Sequence, residues 1–319
     1  MLLSTLLIIV GFILLIKGAD WLVDGASALA KKNNISDLAI GLTIVAFGTS
    51  APELVVNTFA AFDGHSDIVF GNVIGSNIFN LFVILGLVGL ITPIVVQSST
   101  VWREIPMSFF AALLLFALCN NVLFESTHLQ LLRWDGAVLF IALLGFLFYV
   151  YKQMKTDPSA NTRTAGKQLS TLKIGIFIII GLTGLIVGGK TVVSGATDIA
   201  ERLGISQKII ALTIVAAGTS LPELMTSVVA ALKKNSDIAI GNIVGSNIFN
   251  ILLILSVSSF IRPIDYNPVF NTDLMILIGG TVLLFSAMFT GKKYRLDRWE
   301  AALLLIGYIG YTLLLIHKE

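Results

Sequence analysis

The sequence predicts an all-α membrane protein of ten transmembrane helices in two inverted five-helix repeats. Three observations predict it: a 56% hydrophobic composition with mean hydropathy +0.91, a series of spanning-length apolar runs, and a gapless internal repeat. Charged residues make up only 13% of the 319-residue chain, against about 25% in an ordinary soluble domain. That excludes a water-soluble globular enzyme, and the high hydrophobicity excludes a disordered chain. Runs such as 2–16 and 303–316 lack the apolar/polar alternation of a β-barrel strand. The formal net charge of +2, from 21 basic and 19 acidic residues, gives no basic field for nucleic acid. The single cysteine, Cys119, lies in an apolar run and reads as packing, with no disulfide and no cysteine metal cluster.

A spanning helix needs about 20 mainly apolar residues. Ten runs qualify: 2–30, 38–62, 68–91, 104–123, 134–151, 172–200, 208–232, 238–261, 273–290 and 299–316. The first and sixth are long. At 1.5 Å per residue a helix of about 28 residues reaches about 42 Å, more than the hydrocarbon core of about 30 Å, so both tilt or protrude. The start Met1-Leu2-Leu3-Ser4 lacks the basic stretch of a signal peptide, so the first run counts as structure.

Basic loops stay cytoplasmic. The loops after odd-numbered spans hold Lys31, Lys32, Arg103, Lys152, Lys155, Arg163, Lys167, Lys173, Lys233, Lys234, Lys292, Lys293, Arg295 and Arg298. The other side holds Arg133, Arg202, Lys208, Arg262 and Lys318. The bias places both termini outside the cytoplasm of a plasma-membrane protein. The longest loop, 152–171, carries Pro158, Ser159, Asn161, Thr162 and Gly166 without apolar periodicity. It reads as a cytoplasmic linker between a first repeat, 1–151, and a second, 172–319.

Residues 37–93 align with 207–263 at a constant offset of 170, with about 29 identities in 57 positions. The anchors are Leu42-Thr43-Ile44-Val45-Ala46 with Leu212-Thr213-Ile214-Val215-Ala216, and Gly75-Ser76-Asn77-Ile78-Phe79-Asn80 with Gly245-Ser246-Asn247-Ile248-Phe249-Asn250. Gly18 and Gly25 meet Gly188 and Gly195 in the first spans of each half. An odd number of spans per repeat flips the chain, so the second copy sits upside down. Inverted repeats are the architecture of secondary transporters, which bind their substrate near the bilayer midplane where the repeats meet.

The chemistry sits in polar residues within apolar spans. The second span contains Gly48-Thr49-Ser50-Ala51-Pro52-Glu53 and the seventh Gly218-Thr219-Ser220-Leu221-Pro222-Glu223. A charged side chain at a helix centre costs about 2.5–3.5 kcal/mol on insertion scales, and intramembrane ionisable groups are functional by default. At helical spacing Thr49, Ser50 and Glu53 share one face. Pro52 lacks an N–H, frees the Gly48 carbonyl and kinks the helix beside Thr49, and Pro222 does the same at Gly218. Unwound backbone at membrane depth is tolerated where it is buried in protein or lines a wet cavity. Carbonyls, hydroxyls and carboxylates are oxygen ligands suited to hard cations such as Ca²⁺ and Na⁺.

The third and eighth spans add Asn72, Ser76 and Asn80, and Asn242, Ser246 and Asn250, each set at i, i+4, i+8. The deeper Ser76, Asn80, Ser246 and Asn250 read as ligands, and Asn72 and Asn242 as structural hydrogen-bonding groups. Two ionised glutamates place about −2 in a low-dielectric pocket, where unpaired charge is very costly. One Ca²⁺ or two Na⁺ neutralise it, and both together overfill it. Mutually exclusive occupation, opened alternately to each side, is sufficient for antiport.

Other polar residues receive plainer readings. Ser66-Asp67 and Ser236-Asp237 precede apolar runs and suit helix N-caps. Asp20 and Asp24 fall near the cytoplasmic interface and read as structural. Trp102, Trp134 and Trp299 sit at span starts, as interfacial anchors do. His65 and His128 fall in loops and His317 near the C-terminus, so no histidine cluster supports metal catalysis.

The doubled Gly-Thr-Ser-x-Pro-Glu and Gly-Ser-Asn-Ile-Phe-Asn blocks resemble the α-repeats of the Ca²⁺/cation antiporter superfamily. Within it the chain is most similar to prokaryotic sodium/calcium exchangers, over essentially its whole length. The resemblance implies four cation sites between spans 2, 3, 7 and 8. It implies ligands at Thr49, Ser50, Glu53, Ser76, Asn80, Thr219, Ser220, Glu223, Ser246 and Asn250, with backbone ligands at Ala46 and Ala216. Glu53 and Glu223 would bridge Ca²⁺ and Na⁺ sites, the long spans 1 and 6 would slide to alternate access, and three Na⁺ would exchange for one Ca²⁺. No cofactor is implied beyond the transported ions, the partner is the lipid bilayer, and the protein is expected to act as a monomer. Some members carry aspartate where this chain has Asn250, which argues against K⁺ co-transport. The Gly-Thr-Ser form differs from the motif of proton-coupled members and favours Na⁺ as counter-ion.

Two transport alternatives stand beside this one, Ca²⁺/H⁺ exchange and K⁺-dependent Na⁺/Ca²⁺ exchange. An intramembrane hydrolase is disfavoured, because it needs an asymmetric nucleophile–base pair. Here both halves carry near-identical groups, with no His or Lys beside Ser50 or Ser220. A channel is disfavoured because a two-glutamate trap holds Ca²⁺ too tightly for fast conduction.

Overall fold

The structure, a computed structural model, describes residues 1–120, 129–156, 169–204 and 216–318. It is a helical membrane protein. Outside the described residues fall the centre of the expected linker with Arg163 and Lys167, His128, and the start of the seventh expected span with Lys208.

Helix α1 covers Leu2–Asn33 and ends on Asn34 in the left-handed conformation, φ 54°, a cap geometry asparagine tolerates. The expected second span is two helices, α2 (Asp37–Thr49) and α3 (Ala51–Asp63), which meet at 47°. Then follow α4 (Ser66–Ile91), α5 (Thr100–Cys119), α6 (Arg133–Thr156) and α7 (Thr171–Arg202). Beyond the undescribed stretch come α8 (Ala216–Thr219), α9 (Leu221–Leu232), α10 (Ser236–Ile261), α11 (Phe270–Ala287) and α12 (Arg298–Lys318). Among the described residues, 7 helices are long and apolar enough to cross a membrane, or 8 with the bent α2–α3 pair.

The two 32-residue helices α1 and α7 form the most extensive helix pair. They run antiparallel: Ser4 bonds Asp198 at one end and Lys32 bonds Thr171 at the other. Glycine lets the backbones touch. A Cβ on Gly18 would lie 2.8 Å from the Gly181 carbonyl, and one on Gly188 would lie 2.8 Å from that of Gly11. Close approach through small residues is how helices associate in lipid, where no hydrophobic force distinguishes neighbour from solvent.

The centre is α4 and α10. In the most apolar stretch of α10, 94% of residues are buried, against 28% for α1 and α7. The most polar motifs therefore occupy the most enclosed helices. α10 packs along α2 and also against α3 and α6, while α4 packs against α3, α11 and α12. The halves interlock at their edges too. Strand β1 (Ile94–Val95) pairs antiparallel with β4 (Arg295–Leu296), and β2 (Gln130–Leu131) with β3 (Ile264–Asp265). Each short strand thus finds its partner in the other half.

Two local expectations shift. Ser66 and Ser236 are the first helical residues rather than caps, and Asn235 accepts the Ile238 N–H at 3.2 Å as the cap of α10. Ser66 Oγ instead accepts from the Asp265 N–H at 3.1 Å. Asp20 and Asp24 both meet Lys233, described below.

Candidate cation site

Each half of the site starts from a helix break. Ser50 leaves helical geometry at φ −81°, ψ 6°, and Ser220 at φ −88°, ψ 5°. Pro52 and Pro222 fall in the first turn of the following helix, where a missing N–H costs nothing. Glu53 and Glu223 occupy the same first turns, at the positive end of each helix dipole. Leu182 of α7 packs over Gly48: an added Cβ would come 2.5 Å from its Cδ2, so the leucine side chain would have to move.

The break corrects one geometric expectation. Thr49 closes α2 while Glu53 opens α3, so they do not share the face of one continuous helix. Their side chains turn to the other half instead. Ser50 Oγ donates to Glu223 Oε1 at 3.0 Å, and Ser220 Oγ to Glu53 Oε1 at 3.5 Å. Thr49 Oγ1 donates to Asn242 Oδ1 at 2.9 Å, and half-buried Thr219 to Asn72 Oδ1 at 3.5 Å. Asn242 further donates to Ser227 Oγ at 3.0 Å and to the Glu223 carbonyl at 3.3 Å, as a group that holds helices together. The two carboxylates, both fully buried, lie within electrostatic reach of each other.

Four further expected residues come from α4 and α10. Asn80 lies on a π-helical stretch, Phe79–Ile84, and Asn250 opens another, Asn250–Ile254. Such stretches widen the helix by one residue and recur at functional sites. Ser246 Oγ donates to the Ala46 carbonyl at 3.5 Å, an oxygen that also accepts the Ser50 N–H at 3.0 Å. Ala46 is thus drawn into the cluster through its backbone, and Ala216 lies on α8 at the equivalent sequence position.

The donor set is made of oxygen. Glu53 Oε2, Glu223 Oε2, Ser76 Oγ, Asn80 Oδ1 and Asn250 Oδ1 are all buried and meet no hydrogen-bond partner. Buried acceptors left unmatched are expensive. Five oxygens, two of them from carboxylates, suit a hard cation that replaces the missing donors.

Spacing along one helix does not single out two further contributors, Asn77 and Asn247. Asn77 Nδ2 donates to the Asn247 carbonyl at 3.1 Å, and Asn247 Nδ2 to the Asn77 carbonyl at 3.3 Å. They lie one residue off the Asn72–Ser76–Asn80 stripe. Their sequence signal is their identity in both copies of Gly-Ser-Asn-Ile-Phe-Asn.

The chain matches the sodium/calcium exchanger protein family over residues 3–152 and 173–317. It is 33% identical over 357 residues to the sodium/calcium exchanger MaX1 of Methanosarcina acetivorans, covering 98% of each chain. It is 35% identical over 324 residues to the inner membrane protein YrbG of Escherichia coli K12, covering 99% of this chain and 97% of that one. Its fold superposes on a structure of the sodium-calcium exchanger NCX_Mj with a TM-score of 0.82 at 33% identity, covering 98% and 99% of the two chains. With a family match on both halves and relatives aligned from end to end, the chain belongs to the sodium/calcium exchanger family.

Proposed function

We propose that the protein is a secondary antiporter that exchanges Na⁺ for Ca²⁺ by alternating access and extrudes calcium on the sodium gradient. In this reading ten spans form two inverted five-helix repeats, 1–151 and 172–319, joined by a cytoplasmic loop, 152–171. Both termini face away from the cytoplasm, and one chain suffices in the plasma membrane. The ligands are Thr49, Ser50, Glu53, Ser76, Asn80, Thr219, Ser220, Glu223, Ser246 and Asn250, with the backbone of Ala46 and Ala216.

The observation that carries the reading is a pair of buried glutamates, each held by the serine of the other half and each with one unpartnered oxygen, together with the unpartnered buried oxygens of Ser76, Asn80 and Asn250. Two carboxylates are balanced by one Ca²⁺ or by two Na⁺, so the ions compete for one cage. The relative MaX1 is named a sodium/calcium exchanger, and NCX_Mj structures were obtained after soaks with Na⁺ and Ca²⁺ or Sr²⁺, which supports the same ions here.

Alternating access draws support from an asymmetry. α1 packs along α9, whereas α7 makes no comparable contact with α3, the equivalent element. Lys233, at the end of α9, lies 2.6 Å from Asp20 Oδ1 and 2.6 Å from Asp24 Oδ1 of α1. This favours a state closed on the Lys233 side, which the charge bias makes cytoplasmic. The test is radiolabelled Ca²⁺ flux in proteoliposomes with and without a Na⁺ gradient. Wild type should show Na⁺-driven flux, and Glu53→Gln and Glu223→Gln should each abolish it. Near-normal flux in either variant overturns the assignment.

A further inference from the structure

We propose that Asn77 and Asn247 are positioning residues that fix which atom of Asn250 and Asn80 faces the cation, and thereby set cation selectivity. The inference rests on the reading of Asn80 and Asn250 as ligands. An asparagine amide has two ends of nearly equal size, an acceptor oxygen and a donor NH₂. Oxygen holds a cation and the NH₂ end repels it. A site built on asparagine therefore needs something that decides the orientation.

Here the decision starts from the backbone. A carbonyl only accepts, so the bonds from Asn77 Nδ2 to the Asn247 carbonyl (3.1 Å) and from Asn247 Nδ2 to the Asn77 carbonyl (3.3 Å) fix the nitrogen ends. The oxygen ends then face the other pair. Asn250 Nδ2 donates to Asn77 Oδ1 at 3.0 Å, and Asn80 Nδ2 donates to Asn247 Oδ1 at 3.1 Å. Only a nitrogen satisfies those contacts. Oδ1 of Asn80 and Oδ1 of Asn250 are therefore turned the opposite way, where both are buried without a partner. All four asparagines are at most 3% exposed, so water does not substitute for these bonds. Each half orients the ligand of the other. An aspartate at position 250 would set a carboxylate oxygen against Asn77 Oδ1, two acceptors with no proton between them.

Helix adhesion alone would also use such bonds, and the two roles differ in coupling. The experiment is a double-mutant cycle on the full chain in proteoliposomes, reading KM and kcat of Na⁺-dependent Ca²⁺ uptake and the Ca²⁺/Sr²⁺ preference. Asn77→Ala should raise the Ca²⁺ KM about tenfold, the worth of one good hydrogen bond, with a smaller change in kcat and an altered Ca²⁺/Sr²⁺ preference. In the Asn77→Ala/Asn250→Ala double variant KM should be no worse than in Asn250→Ala alone. Effects that multiply overturn the proposal. Asn77→Leu provides a variant of similar size that can make neither bond; its Ca²⁺ KM should rise as in Asn77→Ala, and a wild-type KM overturns the proposal. Wild type without Na⁺-dependent uptake overturns the antiporter reading beneath it, whereas wild-type exchange with multiplying KM effects overturns this proposal alone.

Discussion

Ser50 hydrogen-bonds the carboxylate of Glu223, 173 residues away, rather than that of Glu53 on its own side of the break. The helix break is what allows it. With Ser50 at φ −81°, ψ 6°, its hydroxyl leaves the face that Glu53 continues and crosses to the other half. The reverse bond from Ser220 to Glu53 is longer, 3.5 Å against 3.0 Å.

Removing Ser50 should therefore hurt more than removing Ser220. A hydrogen bond to a charged group contributes about 1.5–3 kcal/mol, and 1.4 kcal/mol is about tenfold in affinity. Ser50→Ala is expected to raise the Ca²⁺ KM by about tenfold or more, and Ser220→Ala by less. Saturation curves of Ca²⁺ uptake in the two variants check the order.

The glycine seam between α1 and α7 makes a stability prediction. A Cβ at Gly18 would meet backbone atoms, the Gly181 carbonyl and the Leu185 nitrogen, each at 2.8 Å. Backbone cannot rotate aside, so the helices must separate. Overpacking of this kind costs about 1–3 kcal/mol. Gly18→Ala should lower the melting temperature in detergent, while Gly279→Ala, where nothing lies within 4 Å, should not.

What was legible in the sequence follows from depth and repetition. Glu53 and Glu223 stood out because a charge inside an apolar run needs a reason, and Pro52 and Pro222 marked the breaks because a missing N–H acts locally. Asn77 and Asn247 did not stand out, because their partners lie on another helix and spacing along one helix carries no information about distances between helices. The same holds for Thr49, whose bond to Asn242 spans 193 residues. The π-helical stretches at Asn80 and Asn250 leave no mark in the spacing either, since Phe, Leu and Ile suit an α-helix as well.

The Lys233 lock should be insensitive to pH across the physiological range. Burial pulls the Lys233 ammonium down, but the hydrogen bonds it donates to Asp20 and Asp24 outweigh it and hold the group above its ordinary value of 10.5. A raised value in the folded state means that its contribution is complete below 10.5 and lost as pH climbs through the higher folded value. The pair is partly exposed, with side chains at 29% for Lys233 and 40% and 49% for the aspartates, so it contributes no more than about 1 kcal/mol. Lys233→Ala should then raise apparent Ca²⁺ affinity from the Lys233 side by no more than about fivefold. Uptake assays with Ca²⁺ supplied to either face of oriented vesicles measure it.

The inverted repeat supplies the counterpart of this lock. At the offset of 170, Lys233 corresponds to Asp63, and Asp20 corresponds to Lys190. The charges are exchanged, so the pair keeps its attraction with the roles reversed. In this structure Asp63 and Lys190 are both exposed, and neither side chain makes a hydrogen bond or ion pair among the described residues. If the proposed transport cycle swaps the conformations of the two halves, α7 comes to pack along α3 as α1 now packs along α9, and Lys190 reaches Asp63. The variant Asp63→Cys/Lys190→Cys, made in a Cys119→Ser background, should form a disulfide under oxidation when Ca²⁺ is supplied from the Lys233 side. That crosslink should stop Na⁺-driven flux until it is reduced. Absence of the crosslink under turnover, in protein that still transports, would show that the second state is not the mirror of the first.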